Sequence, residues 1–206
     1  MNLSIKTIIL AGLVSVSTAC AGISTPSQRE ETYLSLDVAF FLQNLEVVDD
    51  PLNPTIELNT RAAVLDHRLT PDATGDQFLR ANIHRESGDI LLQGYVTNKS
   101  TAGWLKPTMV VFEHSLSSRD VVRVATDVDC SQYGCMHYED MVFSITPEEL
   151  DTTIAETEAQ GARFIRFRIQ GQSGVDRDGR FHVAEMAAMR SVLAEYKTRF
   201  TTPGET

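Results

Sequence analysis

The chain predicts an α+β fold, an antiparallel β-sheet or sandwich with one inserted helix and one helix at the C-terminus. Three observations carry that reading. Between Phe78 and Ile145, short alternating segments follow one another with only turns between them, as consecutive antiparallel strands do. Thr146, Pro147, Glu148 and Glu149 then spell an N-cap, a proline at the first helical position and an acid at the third. Finally, Met186, Met189, Leu193 and Tyr196 recur at the spacing of one helix face.

In chain order, Thr7 to Val16 is an apolar run that follows one positive charge, at Lys6. It is shorter than the roughly 20 apolar residues that span a bilayer but suits the apolar region of a signal peptide. Ala21 to Thr32 is mostly Ser, Thr, Pro, Gln and charge, which reads as a flexible tether. Tyr33 to Val48 carries two patterns at once. Leu34, Leu36, Val38, Phe40 and Leu42 alternate as in a strand, whereas Leu34, Val38, Phe41 and Leu45 have helical spacing; a strand is the favoured reading. Asp49 to Pro54 breaks the chain, Thr55 to Leu65 resumes an extended pattern, and a polar gap runs from His67 to Asp76.

Phe78–His84 and Ile90–Thr97 are predicted to form a hairpin around the turn residues Glu86 to Asp89. Trp104–His114, Val121–Asp129 and Met136–Ile145 supply three more strands. A helix is predicted over Pro147–Gln160, with Gly161 placed to end it in a left-handed conformation. Arg163–Ile169 alternates Ile165, Phe167 and Ile169 with Arg166 and Arg168, a strand with an exposed basic stripe, and Phe181–Val183 pairs with it. Ala184–Arg199 forms the last helix. One globular domain over residues 33–200 with a disordered tail at 201–206 accounts for this order.

Ser17, Thr18, Ala19 and Cys20, at the end of the apolar run, resemble a lipobox, although Ser17 stands where that pattern prefers Leu. Residues 1–19 are thereby identified with the signal peptide of bacterial lipoproteins, and beyond them no family is recognised. The resemblance implies cleavage before Cys20, lipid on its thiol, and a mature protein held on a membrane of the cell envelope. Ala21, in place of the Asp typical of lipoproteins retained in the inner membrane, implies the outer membrane.

Cleavage leaves 187 residues. The 18 basic and 28 acidic residues give a net charge of −10, and loss of Lys6 takes it to −11. Such a surface is repelled by phosphate backbones, which disfavours nucleic acid as a partner, and by anionic membranes, so that attachment needs the lipid. With Cys20 lipidated, Cys130 and Cys135 are left to pair in an oxidising envelope, across a short loop of Ser131, Gln132, Tyr133 and Gly134. The alternative, a Cys-Xaa4-Cys zinc site with His137, lacks a fourth ligand at recognisable spacing.

Three groups could carry chemistry. Gly174–Glu185 resembles an EF-hand loop, with Asp176, Asp178 and Glu185 at positions 3, 5 and 12 and Gly179 at 6. Gly174 replaces the first carboxylate and the preceding segment reads as a strand, so the competing reading is a turn between strands with Glu185 in a helix's first turn. Calcium is the one cofactor this leaves open. His137 and Glu139 share one strand face, near Asp127 and Asp129, as an imidazole beside a carboxylate or as the solvated edge of a polar sheet. Arg163, Arg166, Arg168, Arg177 and Arg180 suit either an anionic ligand or salt bridges to neighbouring acids.

No nucleophile elbow, metalloprotease helix or phosphate-binding glycine loop is present. The expected role is therefore non-catalytic: binding or assembly with an envelope partner. A small hydrolase or ligand-binding enzyme using His137 and Glu139 is the alternative, and a calcium-dependent binding module at Asp176–Glu185 is a second.

Overall fold

The computed structural model describes residues 26–65, 76–113 and 117–201. The signal segment, Cys20 and the lipobox, the first part of the tether, most of the polar gap including His67, His114 and the tail from 202 lie outside these. The elements in order are α1 (Pro26–Leu34), α2 (Val38–Gln43), β1 (Glu46–Val48), β2 (Thr55–Asn59), α3 (Arg61–Leu65), β3 (Gln77–His84), β4 (Ile90–Ser100) and β5 (Pro107–Phe112). There follow β6 (Arg119–Asp120), β7 (Val122–Ser131), β8 (Gly134–Ile145), α4 (Pro147–Ala159), β9 (Phe164–Gly171), β10 (Arg177–His182) and α5 (Val183–Thr201).

The fold is α+β. A six-stranded sheet runs β1-β2-β3-β4-β8-β7 and a four-stranded sheet runs β10-β9-β5-β6, with every pairing antiparallel. The sheets meet through aromatic rings. Phe143 of β8 lies 5.5 Å from Phe112 and 5.3 Å from Phe167, both in edge contact, so its ring fixes the separation of the layers. Leu79, Ile83, Leu92, Val96 and Met141 on the larger sheet join Val110, Ile169 and Phe181 on the smaller one in a single apolar core. Leu150 and Ile154 of α4 and Met186, Met189 and Leu193 of α5 extend that core.

Helix α4 begins as its residues dictate. The Thr146 hydroxyl accepts from Glu149 N at 3.2 Å while the Glu149 carboxylate accepts from Thr146 N at 2.8 Å, and Gly161 takes φ +67° after the last turn. Glu149 also receives both terminal nitrogens of Arg119 at 2.8 Å, which ties the helix start to β6.

The N-terminal third corrects the sequence reading. Tyr33–Val48 is not a strand but the end of α1, then α2, then the short β1. The Asp37 carboxylate accepts from Phe40 N at 2.8 Å and caps α2, which lets the helical spacing win over the alternating one. The expected tether through Thr32 is helical from Pro26, and the extended run expected over Thr55–Leu65 stops at Asn59 where α3 begins. These short helices are held by a second cluster, in which Tyr33, Phe41, Ala63 and Val64 pack on Phe78, Phe164, Ala184 and Ala188.

Candidate binding edge and neighbouring sites

Strand β7 is an outer strand of the six-stranded sheet, paired to β8 on one side and, among the described residues, to no strand on the other. All ten of its residues are exposed. Its sequence explains why it forms a strand there: Val122, Val124, Thr126 and Val128 are β-branched, while Arg123, Asp127 and Asp129 keep either face from becoming fully apolar. The pairing of β4 with β8 ends at Ser100 and His137, yet β7 and β8 continue as a two-stranded ribbon to Ser131 and Gly134.

An isolated ribbon of two strands is marginal in water. Here Cys130 sits opposite Cys135, their Cα atoms 4.0 Å apart, and the two are joined by a disulfide. Gly134 at φ +125° and a bond from Tyr133 N to the Ser131 hydroxyl, 3.2 Å, close the turn. Tyr133 stands at the tip, 90% exposed. With Val122, Val124 and Val128 it makes an apolar series along an edge whose other prominent groups are Asp127 and Asp129. The Asp127 carboxylate accepts from Val128 N at 2.8 Å, so the strand covers one of its own edge donors.

His137 and Glu139 lie two residues apart on β8 and serve the structure beside this edge. Glu139 is fully buried: its carboxylate accepts from Leu105 N, from Lys106 N at 3.0 Å and from Arg123 Nη1 at 3.3 Å. It therefore pins the loop that enters β5, where Lys106 takes the unusual φ of +54°. The His137 ring meets the edge of Trp104 at 4.7 Å and its Nδ1 lies 3.3 Å from Ser100 O. A carboxylate enclosed in this way has no open face for a substrate proton.

The segment that resembles a calcium loop is a turn followed by β10, and its carboxylates go to different places. Asp178 pairs with Arg168 across the strands at 2.6 Å, and that guanidinium holds its carboxyl below the usual carboxylate range. Glu185 is buried in the first turn of α5, where Thr60 and Leu79 N bond to it. Asp176 is exposed. Among the described residues no three His, Cys, Asp or Glu side chains converge as a metal ion would require.

The arginine stripe lines a shallow cavity of about 760 Å³ on the outer face of the four-stranded sheet. Each arginine facing it has an acid: Arg168 has Asp178, Arg180 has Glu30 at 2.8 Å, and Arg166 has Glu113 at 3.9 Å. Salt bridging, the second reading of the cluster, is thus the arrangement present at Arg166, Arg168 and Arg180, whereas Arg177 is buried and donates to the Asp178 carbonyl. Sequence reasoning did not single out His182 and Glu185 as buried polar groups, nor β7 as an edge. The available signal for the edge was the absence of a large apolar residue other than valine between Val122 and Ser131.

No helix among the described residues is long and apolar enough to cross a membrane. Compared with protein-family models, curated proteins and solved structures, the chain matches none.

Proposed function

We propose that this chain is a non-catalytic binding or assembly protein of the cell envelope, held on a membrane by lipid on Cys20 and engaging a protein partner along the outer edge of β7. One observation carries the proposal: a ten-residue strand, exposed throughout and, among the described residues, without a strand partner on its outer side, is extended past the rest of its sheet and cross-linked at its tip. An outer strand of that length presents the N–H and C=O groups that strand addition uses, although Asp127 covers one donor and a bulge follows Arg123. The engagement of Glu139 by two backbone donors and Arg123 speaks against the enzymatic alternative, because it consumes the carboxylate that reading needs. The lipobox at Ser17–Cys20 and Ala21 supports attachment to the outer membrane.

The test is site-specific photo-crosslinking in intact cells, with a photoreactive phenylalanine analogue at Val124 or Val128 and, as the control position, at Leu91 of β4. A partner captured from the β7 positions and absent from Leu91 supports the proposal; equal capture, or none, rejects it. In the same cells Cys20→Ser should move the protein to the soluble fraction, and unchanged membrane fractionation would reject the anchor.

A further inference from the structure

We infer that the β7 edge takes an extended segment of a partner protein in which basic side chains occupy every second position and alternate with apolar ones. The inference rests on the binding role proposed above and adds the chemistry of the partner.

Neighbouring residues on a strand face opposite ways, so Ala125, Asp127 and Asp129 share one face of β7 and Thr126 and Val128 the other. Between Ala125 and Ser131 there are two aspartates and no lysine or arginine. A strand added to this edge places its own side chains directly opposite, where opposite charges stabilise the pair and like charges destabilise it. Two cations separated by one residue therefore match Asp127 and Asp129, and the residue between them meets Val128, an exposed valine. When a partner carbonyl takes the Val128 N–H, the Asp127 carboxylate that now covers it is released toward a partner cation.

Two-fold pairing of β7 with the β7 of a second copy about the middle of the strand does not fit. Two-fold pairing centred on residue 127 sets Asp127 against itself, and centring on 128 sets Asp127 against Asp129. Centring on 126 would bring Asp129 opposite Arg123, but the register shift between Arg123 and Ala125 turns Arg123 away. Arg123 pairs with Met141 while Ala125 pairs with Asp140, adjacent residues on β8 and hence opposite faces, and the Arg123 side chain goes inward to Glu139. The edge is thus guarded against its own kind and left open to a basic strand.

The probe is a fluorescently labelled capped decapeptide of alternating lysine and valine, titrated by anisotropy at low salt against the mature chain carrying Cys20→Ser. Comparators are alternating glutamate and valine, and a block of five lysines followed by five valines. The alternating lysine peptide is expected to bind at least tenfold tighter than either comparator. The double substitution Asp127→Lys with Asp129→Lys should reverse the preference toward the glutamate peptide while leaving the thermal midpoint in place, because both residues are exposed. Block and alternating peptides binding equally, or no reversal in the double variant, overturns the inference, as does concentration-dependent dimerisation through β7. If no peptide binds while the Val128 photo-crosslinker still captures a partner, the basic-strand chemistry fails and the binding role stands; silence in both experiments ends both.

Discussion

The Thr60 hydroxyl donates to the Glu185 carboxylate at 2.5 Å, joining residues 125 positions apart in a fully buried site. Leu79 N donates to the same oxygen at 3.2 Å, and Thr60 in turn bonds to Leu79 through both its backbone and its hydroxyl. One carboxylate thus connects the first turn of α5 to the end of β2 and the centre of β3. These donors and the backbone of His182 do not offset the loss of water, and burial pushes the Glu185 carboxyl from its ordinary 4.5 to about 7.

Stability should carry that shift. A carboxyl whose folded pKa is raised contributes stability that is present in full below about 4.5 and lost as pH rises through 7, a loss of about 3 kcal/mol. Glu185→Gln keeps an acceptor for Thr60 and Leu79 and cannot ionise. Urea unfolding at pH 5 and pH 8 is expected to show wild-type stability falling relative to that of the variant over that interval, since the contributions of other groups such as His182 are common to both; parallel behaviour of the two proteins would show that Glu185 is not the titrating group.

His182, three residues earlier, works in the opposite sense. Burial among Tyr33, Phe41 and Phe164, with Arg163 and Arg180 adding repulsion, lowers its pKa from 6.5 to about 4. Its neutral Nδ1 accepts from Ala184 N at 3.0 Å and so caps α5. The stability tied to the neutral ring is present above 6.5 and lost as pH falls through 4. His182→Asn retains a capping acceptor without the titration, at the cost of the aromatic contacts. The thermal midpoint of the wild type should therefore drop more steeply than that of the variant between pH 6.5 and 4, whatever their difference at pH 7.

These two groups also mark where sequence reasoning stops. Periodicity and turn chemistry are local, and they sufficed for the β3–β4 and β7–β8 hairpins, for the capped start of α4 and for α5. The path from Tyr33 to Val48 depended on distant partners: Phe41 and Tyr33 are helical because Phe164, Ala184 and Ala188 receive them there. Glu185 looked like a helix-dipole acid or a calcium ligand, since nothing near it in sequence announces Thr60. Likewise the lack of large apolar residues other than valine in β7 was a local signal for an edge, but its place as an outer strand emerges from the strand order.

Packing between the sheets gives a sharper mutational test. A Cβ on Gly94 would lie 2.5 Å from Phe143 Cε2 and Cζ and 3.0 Å from Phe181 Cζ, in a core where these rings hold the sheets apart. Gly94→Ala is expected to destabilise by about 1–3 kcal/mol, as overpacking does. Shortening the ring in Phe143→Leu should recover part of that loss, so that the double variant is more stable than the sum of single effects implies. Strict additivity in urea unfolding would mean that residue 94 does not contact the Phe143 ring.

Removal of the Cys130–Cys135 bond should act on the ribbon rather than on the domain. Closing a loop of this size is worth about 2 kcal/mol by chain entropy, but the tip lies beyond the last β4 pairing and opens without disturbing the core. In Cys130→Ser with Cys135→Ser, amide hydrogen exchange is expected to quicken over Val128–Met136 while the amides of β3 and β4 keep their protection, and the thermal midpoint should move by only a few degrees. If the ribbon is the binding edge, the same variant should lose crosslinking at Val128 more than at Val124, because Val124 lies alongside Arg123 and Ala125 where β8 is still backed by β4. Uniform loss at both positions would place the contact elsewhere on the strand, and protection lost throughout β3 and β4 would make the disulfide a support of the whole fold.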